Sequence, residues 1–317
     1  MISVGLDVGG TKVLGVVIDT RSPAKVLAEQ RVLTPDGGEG LVDTLVELVG
    51  SLAAAEAVPA SVGVGVPGLV DRTGRLHMGA HLRRIHDLPL AALMGERCAL
   101  PAAVDNDANC HALAERAAGA AAGADEALVV TFGTGIGAGI ITGGRLLRGA
   151  NGFAGEPGHM VVDPDGPPCP CGRRGCWERY ASGGGLGRLA RDAAHAGRLA
   201  GAVELAGGDP EGVRGEHVTA AARAGDEGST AVLGELAGWI ALGLANLTNI
   251  LDPSVIVVGG GLVEAADLLL PVVRARFLDF VMAGGRRPHI NIVPAALGER
   301  AGAIGAAVMA ADQLGLE

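Results

Sequence analysis

Aromatic side chains are scarce in this chain of 317 residues, at 2% of the total. Apolar residues still make up 49%, so the core must be packed from valine, leucine, isoleucine and alanine. With 19% charged residues, the composition is that of a globular chain and not of a disordered one. The length allows a full hydrophobic core and predicts two domains.

A basic excess is also lacking, because 35 acidic residues outnumber 25 lysines and arginines and leave a formal net charge of −10. Proteins that bind a phosphate backbone or an anionic membrane present a basic face to it. The charge therefore argues against nucleic acid and against anionic membrane surfaces as partners.

No basic segment precedes the first apolar run, so we expect no signal peptide. Uninterrupted apolar stretches of membrane-spanning length are missing as well. The two most apolar windows, residues 127–142 and 239–263, are broken by glycines or by polar residues and proline, which predicts buried strands and helices. These features predict a cytoplasmic protein.

Cysteine is rare, yet three of the five cysteines, Cys169, Cys171 and Cys176, fall within eight positions. Such a cluster is either a metal site or a set of disulfides, and a reducing cytoplasm favours a metal. His159 adds a fourth donor, and three thiolates with one imidazole suit tetrahedral Zn²⁺. The segment 164–175 is rich in proline and glycine, so we expect a structural Zn²⁺ that fixes its shape. An exposed histidine beside reduced thiols is the alternative.

The segment Asp7-Val8-Gly9-Gly10-Thr11-Lys12 lies between two apolar runs and predicts a strand, a glycine turn and a second strand. Glycines let the backbone approach a ligand closely and point N–H groups at it. Asp7 could hold a hydrated Mg²⁺, while Thr11 and Lys12 add a hydroxyl and a cation for phosphate oxygens. An ordinary tight hairpin is the alternative.

A second glycine turn, Gly133-Thr134-Gly135, follows about 124 residues later between two further apolar runs. The two segments align at four pairs of positions: Thr131 with Asp7, Gly133 with Gly9, Thr134 with Gly10, and Gly139 with Gly15. Two matching hairpins predict a duplicated α/β unit that holds the phosphates of a nucleotide in the cleft between its halves.

Two further strand ends carry candidate site residues. Gly259-Gly260-Gly261 follows a buried strand and suits a purine or ribose lying against bare backbone, although a simple loop is the alternative. Asp107 lies where a short strand runs into a helix, which is the mouth of the cleft in an α/β fold. Capping of that helix by Asn106 or Asp107 is the alternative.

Together these motifs resemble those of the ROK family (repressor, open reading frame, kinase) of sugar kinases. The block from His159 to Glu178, with its Cys-x-Cys-Gly-x-x-Gly-Cys-x-Glu pattern, is specific to that family, whereas the glycine turns are shared by actin-like ATPases. The matching segments cover nearly the whole chain: residues 7–12, 67–71, 106–109, 131–139, 156–159, 169–178 and 259–261.

The resemblance implies an α/β chain with the actin/hexokinase-like (ribonuclease H-like) duplicated two-domain ATPase fold and an interdomain cleft. We expect residues 1–116 and 301–317 to form the small domain, and residues 117–300 to form the large domain with the zinc loop. Members of the family usually form dimers or tetramers, which implies a homodimer or homotetramer here.

The resemblance further implies ATP- and Mg²⁺-dependent phosphorylation of a hexose at its 6-hydroxyl, with glucose as the first expectation. It makes Asp107 the general base that accepts the hydroxyl proton. The groups expected to hold the sugar are Gly68, Asn106, Asp107, Glu156, His159 and Glu178, and those expected to hold the nucleotide are Asp7, Gly9, Gly10, Thr11, Lys12, Gly133, Thr134, Gly135, Gly259, Gly260 and Gly261. His159 could use one ring nitrogen for zinc and the other for the sugar.

Two other functions stay open at this stage. The chain could phosphorylate N-acetylglucosamine, N-acetylmannosamine or fructose, since Ala80-His81 aligns with a Pro-Asn pair that is common in glucokinase-like members. A misaligned loop is the alternative explanation of that difference. It could also be a sugar-binding sensor without catalysis, although Asp7, Asp107 and both phosphate turns argue against that. Asp105 stands where glutamate is common. ROK repressors carry a DNA-binding segment ahead of the first turn, and the position of Asp7 leads us to expect none here.

Overall fold

The computed structural model describes residues 1–55, 58–79, 82, 85–313 and 315. The strands are β1 (Ile2–Val8), β2 (Lys12–Asp19), β3 (Val26–Leu33), β4 (Ser61–Val66), β5 (Gly68–Val70), β6 (Leu76–Gly79), β7 (His86–Leu88), β8 (Ala102–Asn106), β9 (Ala127–Phe132), β10 (Ile136–Thr142), β11 (Arg145–Leu146), β12 (Val255–Gly259) and β13 (Asn291–Pro294). The α-helices are α1 (Gly38–Ala55), α2 (Leu90–Cys98), α3 (Asp107–Ala118), α4 (Glu178–Ala181), α5 (Gly183–His195), α6 (Ala200–Leu205), α7 (Gly215–Arg223), α8 (Glu227–Leu251), α9 (Ala266–Phe280) and α10 (Ala301–Gln313).

The two large sheets have the same topology. Within the described residues, the first sheet has the order β3-β2-β1-β4-β8 and the second has the order β11-β10-β9-β12-β13. In each sheet the first three strands along the chain form an antiparallel meander, and two parallel strands are added beside the first of them. The predicted duplication of an α/β unit is therefore confirmed.

The two glycine turns occupy equivalent places in these sheets. Asp7 lies opposite Gly65 of the parallel neighbour β4, and Thr131 lies opposite Gly259 of the parallel neighbour β12. The predicted alignment of Thr131 with Asp7 is therefore confirmed at the ends of β1 and β9.

The two hairpins differ by one residue beyond the turn. The last strand pairs enclose residues 9–12 in the first hairpin and residues 133–135 in the second. Gly15 lies opposite Leu6, whereas the counterpart of Leu6, Val130, lies opposite Ala138. The predicted alignment of Gly139 with Gly15 is therefore wrong by one residue, because the second turn is shorter.

The chain packs without many aromatics because helix and sheet approach each other unusually closely. The alanine-rich helix α10 lies on β1 and β4, and a Cβ added to Gly5 or Gly63 would come within 1.8 Å of the carbonyl oxygen of Ala303 or Ala306. Only glycine fits at these two positions, so small residues on both surfaces replace the large side chains of an ordinary core.

The second half has a larger helical core built around α8. Trp177 is fully buried there and meets Phe132 edge to face, with ring centroids 5.6 Å apart. By length and composition α8 would be long enough to cross a membrane, but half of its most apolar window is buried inside the protein, as in a core helix.

Helices α3 and α10 pack against each other, and α3 also contacts β9 and β10 of the second sheet. At the end of α3, the buried carboxylate of Glu115 accepts hydrogen bonds from the backbone of Ala120, Ala296 and Leu297. One side chain thus joins the two segments that connect the halves of the chain. The division into residues 1–116 with 301–317 and residues 117–300 stays a prediction.

Candidate active site

A cavity of about 570 Å³ lies between the two sheets. Side chains and backbone from both halves of the chain form its walls. Eleven residues with a predicted site role line it: Gly68, Asn106, Asp107, Gly133, Thr134, Gly135, Glu156, His159, Cys171, Glu178 and Gly260. The fold therefore brings the predicted sugar-holding groups and the second phosphate turn to one place.

The junction between β8 and α3 forms one wall of the cavity. Asn106 is the N-cap of α3, and its Oδ1 accepts hydrogen bonds from the backbone N–H groups of Ala108 at 2.8 Å and Asn109 at 3.2 Å. Its Nδ2 donates to the carbonyl oxygen of Gly68 at 3.1 Å. The capping role therefore belongs to Asn106, which keeps one N–H for a ligand.

Asp107 is the first residue of α3 and lines the cavity. Its Oδ1 accepts a hydrogen bond from the backbone N–H of Ala108 at 2.9 Å. A carboxylate at the N-terminus of a helix is stabilised by the free N–H groups and the helix dipole. Asp107 therefore presents its carboxylate in a fixed place at the cleft wall.

Asp105 lies behind this wall and is 4% exposed. Its Oδ1 accepts from the backbone of Asn106 and from the side chain of Asn109, at 2.7 and 2.8 Å, while its Oδ2 accepts from Arg148 at 2.6 Å. Arg148 follows β11 in the second half, so this ion pair joins the N-terminus of α3 to the loop that leads to Glu156. The aspartate at this position thus positions the site and does not enter the cavity.

The second half of the chain adds the acidic pair Glu156 and Glu178 to the cavity wall. Burial raises the pKa of Glu156 to about 7, and the negative charges of Asp107 and Glu178 add to the increase. The Oε2 atom of Glu178 accepts a hydrogen bond from the backbone N–H of Ile136 at 3.0 Å. A Cβ at Gly135 would lie 2.3 Å from the same oxygen, so glycine there makes room for Glu178.

Free energy of unfolding is expected to depend on pH through these buried acids. Burial also raises the pKa of Asp7 to about 6. An acid whose folded pKa is raised stabilises the fold at low pH, and this contribution is lost as the pH rises through the folded value. Unfolding in denaturant should give a free energy of unfolding that is a few kcal/mol lower at pH 8 than at pH 5. This size follows from roughly 1.4 kcal/mol for each unit by which a pKa is raised.

Glu156→Gln should reduce this pH dependence, because the amide does not titrate. The matched control is Glu47→Gln, at an exposed position of α1. A Glu156→Gln protein with the same pH dependence as the wild type would contradict the burial of an ionisable Glu156.

The predicted zinc cluster is assembled beside the cavity. The ligand atoms of His159, Cys169, Cys171 and Cys176 all lie within 4.8 Å of one another. The two sulfur atoms of Cys171 and Cys176 are 3.6 Å apart, close to the edge of about 3.8 Å that a tetrahedron with Zn–S bonds of about 2.3 Å requires. All five cysteines are free thiols. The donor set therefore fits Zn²⁺ and not a disulfide, which needs sulfur atoms about 2 Å apart.

His159 belongs to both the cluster and the cavity wall. Its Nδ1 lies 3.8 Å from the sulfur of Cys169. Because Nδ1 faces the thiols, Nε2 is the nitrogen left for a ligand in the cavity.

Two aromatic residues after the cluster anchor it to the core. The indole Nε1 of Trp177 donates to the carbonyl oxygen of Trp239 on α8 at 2.7 Å. Tyr180 donates its hydroxyl to Asp163 at 2.6 Å and stacks on Trp239 with ring centroids 4.2 Å apart. These contacts fix both ends of the cysteine segment and hold Glu178 in place between them.

The first of the two predicted phosphate turns, residues 9–12, does not line the cavity. The backbone N–H of Gly9 donates to the carbonyl oxygen of Lys12 at 2.9 Å, and Lys12 pairs with Glu299 at 3.4 Å. Asp7 packs against the start of α10, where a Cβ at Gly302 would be 2.5 Å from its carboxyl carbon. Asp7 therefore lies at the N-terminus of a helix, but Gly9, Gly10, Thr11 and Lys12 are not among the residues that line the cavity.

The third glycine turn contributes only Gly260 to the cavity wall. Gly260 has φ of 81°, and a Cβ there would be 2.5 Å from the carbonyl oxygen of Phe132. Glycine at position 260 is therefore explained by a tight turn against β9. Gly261 and Gly133, in contrast, have open space on the Cβ side, which leaves room for a ligand.

Sequence patterns missed three residues of the wall: Met78, His111 and Arg173. Met78 and His111 lie outside the glycine and cysteine motifs, and Arg173 is a variable position inside one. Helical spacing could have found His111, which lies one turn after Asp107 on the same face of α3. Ala80 and His81, where the sugar-specificity pattern departs, lie outside the described residues.

A model of the ROK family matches residues 3–313. The chain belongs to the ROK family. A glucokinase from Streptomyces coelicolor is 38% identical over 313 residues, which are 98% of each chain. A ROK family glucokinase from Streptomyces griseus, solved in complex with glucose and AMPPNP, has a TM-score of 0.87 at 38% identity and covers 98% of this chain and 100% of its own. A ROK hexokinase from Thermus thermophilus has a TM-score of 0.81 at 34% identity, with full coverage of both chains.

These ROK structures confirm the predicted actin/hexokinase-like fold class over the whole chain. The superpositions on these two structures cover both halves of the chain, and therefore both equivalent sheets. The family assignment rests on the full length of the chain and not on the glycine turns alone.

Proposed function

We propose that this ROK family protein catalyses the ATP-dependent phosphorylation of glucose at its 6-hydroxyl. The observation that carries the proposal is that one cavity is lined by Asp107 from the first half of the chain, by Glu156, His159 and Glu178 from the second half, and by the glycine turn at Gly133. Neither a nucleotide site alone nor a sugar site alone would need all of these groups.

The relatives support the same conclusion. Proteins named glucokinase share 38% identity over nearly the whole chain, and one of them binds glucose and AMPPNP in its crystal. We extend their sugar and nucleotide to this chain because the cavity offers both carboxylates for sugar hydroxyls and glycine backbone for phosphates.

Asp107 is the proposed general base. It would accept the proton of the 6-hydroxyl while that oxygen attacks the terminal phosphorus and ADP departs with the bonding electron pair. Phosphoryl transfer depends chiefly on positioning and on stabilisation of charge. The hydrogen bond from Ala108 and the ion pair of Asp105 with Arg148 both fix the first turn of α3, and so fix the direction of attack.

The sugar is proposed to lie against Glu156, His159 and Glu178, with Asn106 and Gly68 opposite. Carboxylates accept hydrogen bonds from adjacent hydroxyls, and such charged hydrogen bonds are stronger than neutral ones. The Nε2 atom of His159 would meet a hydroxyl while Nδ1 binds the metal. In this proposal Zn²⁺ supplies no chemistry, because four protein ligands leave it no open position.

Nucleotide binding is assigned to the two glycine turns, with Gly259, Gly260 and Gly261 toward the nucleoside. Mg²⁺ would neutralise phosphate charge when bound, and Asp7 is the proposed carboxylate for its water shell. Asp7 fits because it is held at the N-terminus of α10 and is the next-to-last residue of β1, just before the first turn, Gly9-Gly10-Thr11-Lys12.

Three further expectations from the sequence analysis stay predictions. They are the domain boundaries at residues 116/117 and 300/301, a homodimer or homotetramer, and a cytoplasmic location. The contacts of α10 with β1, β4 and α3 support grouping residues 301–313 with the first half.

Release of ADP from MgATP across a panel of sugars tests the proposed function. We expect glucose to give the highest kcat/KM among glucose, mannose, fructose, N-acetylglucosamine and N-acetylmannosamine. Turnover of an N-acetylated sugar or fructose without turnover of glucose would replace the substrate and keep the reaction. Binding of glucose without release of ADP would favour a sugar sensor and contradict the proposal.

A further inference from the structure

His111 is the one side chain of the cavity wall on α3 that no sequence motif explained. It lies one helical turn after Asp107 and is half-buried. Its Nδ1 is 3.0 Å from the backbone carbonyl oxygen of Asp107. A carbonyl oxygen only accepts, so Nδ1 carries the hydrogen, and Nε2 is the nitrogen left for a ligand.

The cavity holds few positive charges for a site that should take a triphosphate. Among the described residues that line it, Arg173 is the only lysine or arginine, whereas Asp107, Glu156 and Glu178 are acidic. Lys12 is engaged with Glu299 outside the wall. Enzymes that transfer phosphoryl groups place cationic donors or metal ions around the phosphates. A further cationic donor in the cavity would add to the charge stabilisation that Mg²⁺ and the backbone of the glycine turns supply.

His111 lies on the first turns of α3, which pack against the strand that pairs with Asp7. Asp7 lies opposite Gly65 of β4, and a Cβ at Gly65 would be 3.6 Å from the Cα of Asp107. Because His111 is hydrogen-bonded to the backbone of Asp107, its ring lies beside the proposed base and on the side of α3 that approaches the carboxylate proposed for Mg²⁺. This is the part of the cleft where the terminal phosphate must be for an in-line transfer to the sugar.

We propose that His111 is a phosphate-binding residue, whose imidazolium Nε2–H donates a hydrogen bond to a terminal phosphate oxygen of MgATP. This inference rests on the proposed kinase function. During transfer the bond from the sugar oxygen to phosphorus forms, the bond to the ADP oxygen breaks, and the hydroxyl proton goes to Asp107. His111 keeps both of its protons and stabilises charge only. The carbonyl oxygen of Asp107 accepts the hydrogen bond from Nδ1 and so fixes the ring on α3. The distance between the bound phosphate and the base Asp107 is therefore fixed as well.

The test compares nucleotide and sugar binding in His111→Ala, His111→Gln and His111→Lys. Loss of one charged hydrogen bond predicts an affinity for MgAMPPNP, and a KM for MgATP, weakened by about tenfold or more in His111→Ala. His111→Lys should restore most of the affinity, and His111→Gln less. Affinity for glucose without nucleotide should stay within about twofold in all three. The matched control is His195→Gln, an exposed histidine of α5.

Unchanged MgAMPPNP affinity in His111→Ala and His111→Gln, with normal turnover in the wild type, would overturn this inference and leave the kinase function standing. Equal weakening of glucose and MgAMPPNP would also overturn it, because that result indicates a structural role. A wild-type protein that binds no MgAMPPNP would overturn the proposed function itself, and this inference with it.

Discussion

Replacement of Asp107 by asparagine is expected to lower kcat by about 10²–10⁴-fold, the range that a positioned general base contributes. Asparagine has the same shape and cannot accept the 6-hydroxyl proton as a carboxylate does. Affinity for glucose should change far less, because Glu156, His159 and Glu178 of the second half of the chain also line the cavity and are left unchanged. Steady-state release of ADP gives kcat, and calorimetric titration with glucose gives the affinity.

Folding should survive this substitution, since Asn106 and not Asp107 caps α3. The matched control is Asp125→Asn, an aspartate that is 78% exposed. If Asp107→Asn turns over glucose at more than about one tenth of the wild-type kcat, Asp107 is not the base.

Replacement of Cys176 by alanine is expected to remove the bound metal and weaken glucose binding by roughly 100-fold. Cys176 is fully buried and supplies one of the four donors, and Glu178 follows two residues later. Without metal, His159 loses its fixed position, and Glu178 loses the anchor at Cys176 that adds to those at Trp177 and Tyr180. Two charged hydrogen bonds of about 1.5 kcal/mol each account for a change of this size.

Metal analysis of the purified wild type should find about one Zn²⁺ per chain. Cys98→Ala is the matched control, because Cys98 ends α2 away from the cluster and should keep both metal and sugar affinity. A metal-free Cys176→Ala protein that binds glucose as the wild type does would show that the metal does not order the sugar wall.

Local patterns in the sequence were sufficient for the parts of the site that each lie within one short segment. The Cys-x-Cys spacing with His159 predicted the metal cluster, because its four donors lie within eighteen residues of chain. The repeated strand and glycine turn predicted the duplicated sheets, since a hairpin is formed by neighbouring residues. The family resemblance then supplied the order in which these pieces surround a cleft.

Contacts between distant segments could not be predicted in this way. The ion pair of Asp105 with Arg148 joins residues 43 positions apart, and Glu115 reaches Leu297 across 182 positions. The role of Gly302 likewise depends on Asp7, at the other end of the chain. Such requirements follow from the packing of α3 and α10 between the sheets, and a single sequence carries no local signal for them.

The glycine turns show the same limit within the site. A sequence pattern treats every glycine as a place where a ligand approaches the backbone. In the structure Gly135 makes room for Glu178 and Gly260 for Phe132, whereas Gly133 and Gly261 remain open. Of these four glycines, only Gly133 and Gly261 leave the backbone accessible on the Cβ side. The predicted nucleotide contacts therefore fall on fewer positions than the glycine turns contain.

Phosphorus NMR of the purified protein with MgATP and glucose is the most direct test of the proposed phosphoryl transfer in this cleft. The predicted result is a phosphomonoester signal coupled to the two protons of carbon 6, growing in step with ADP and absent with Asp107→Asn. Glucose that binds to the wild type while no phosphomonoester forms would contradict it.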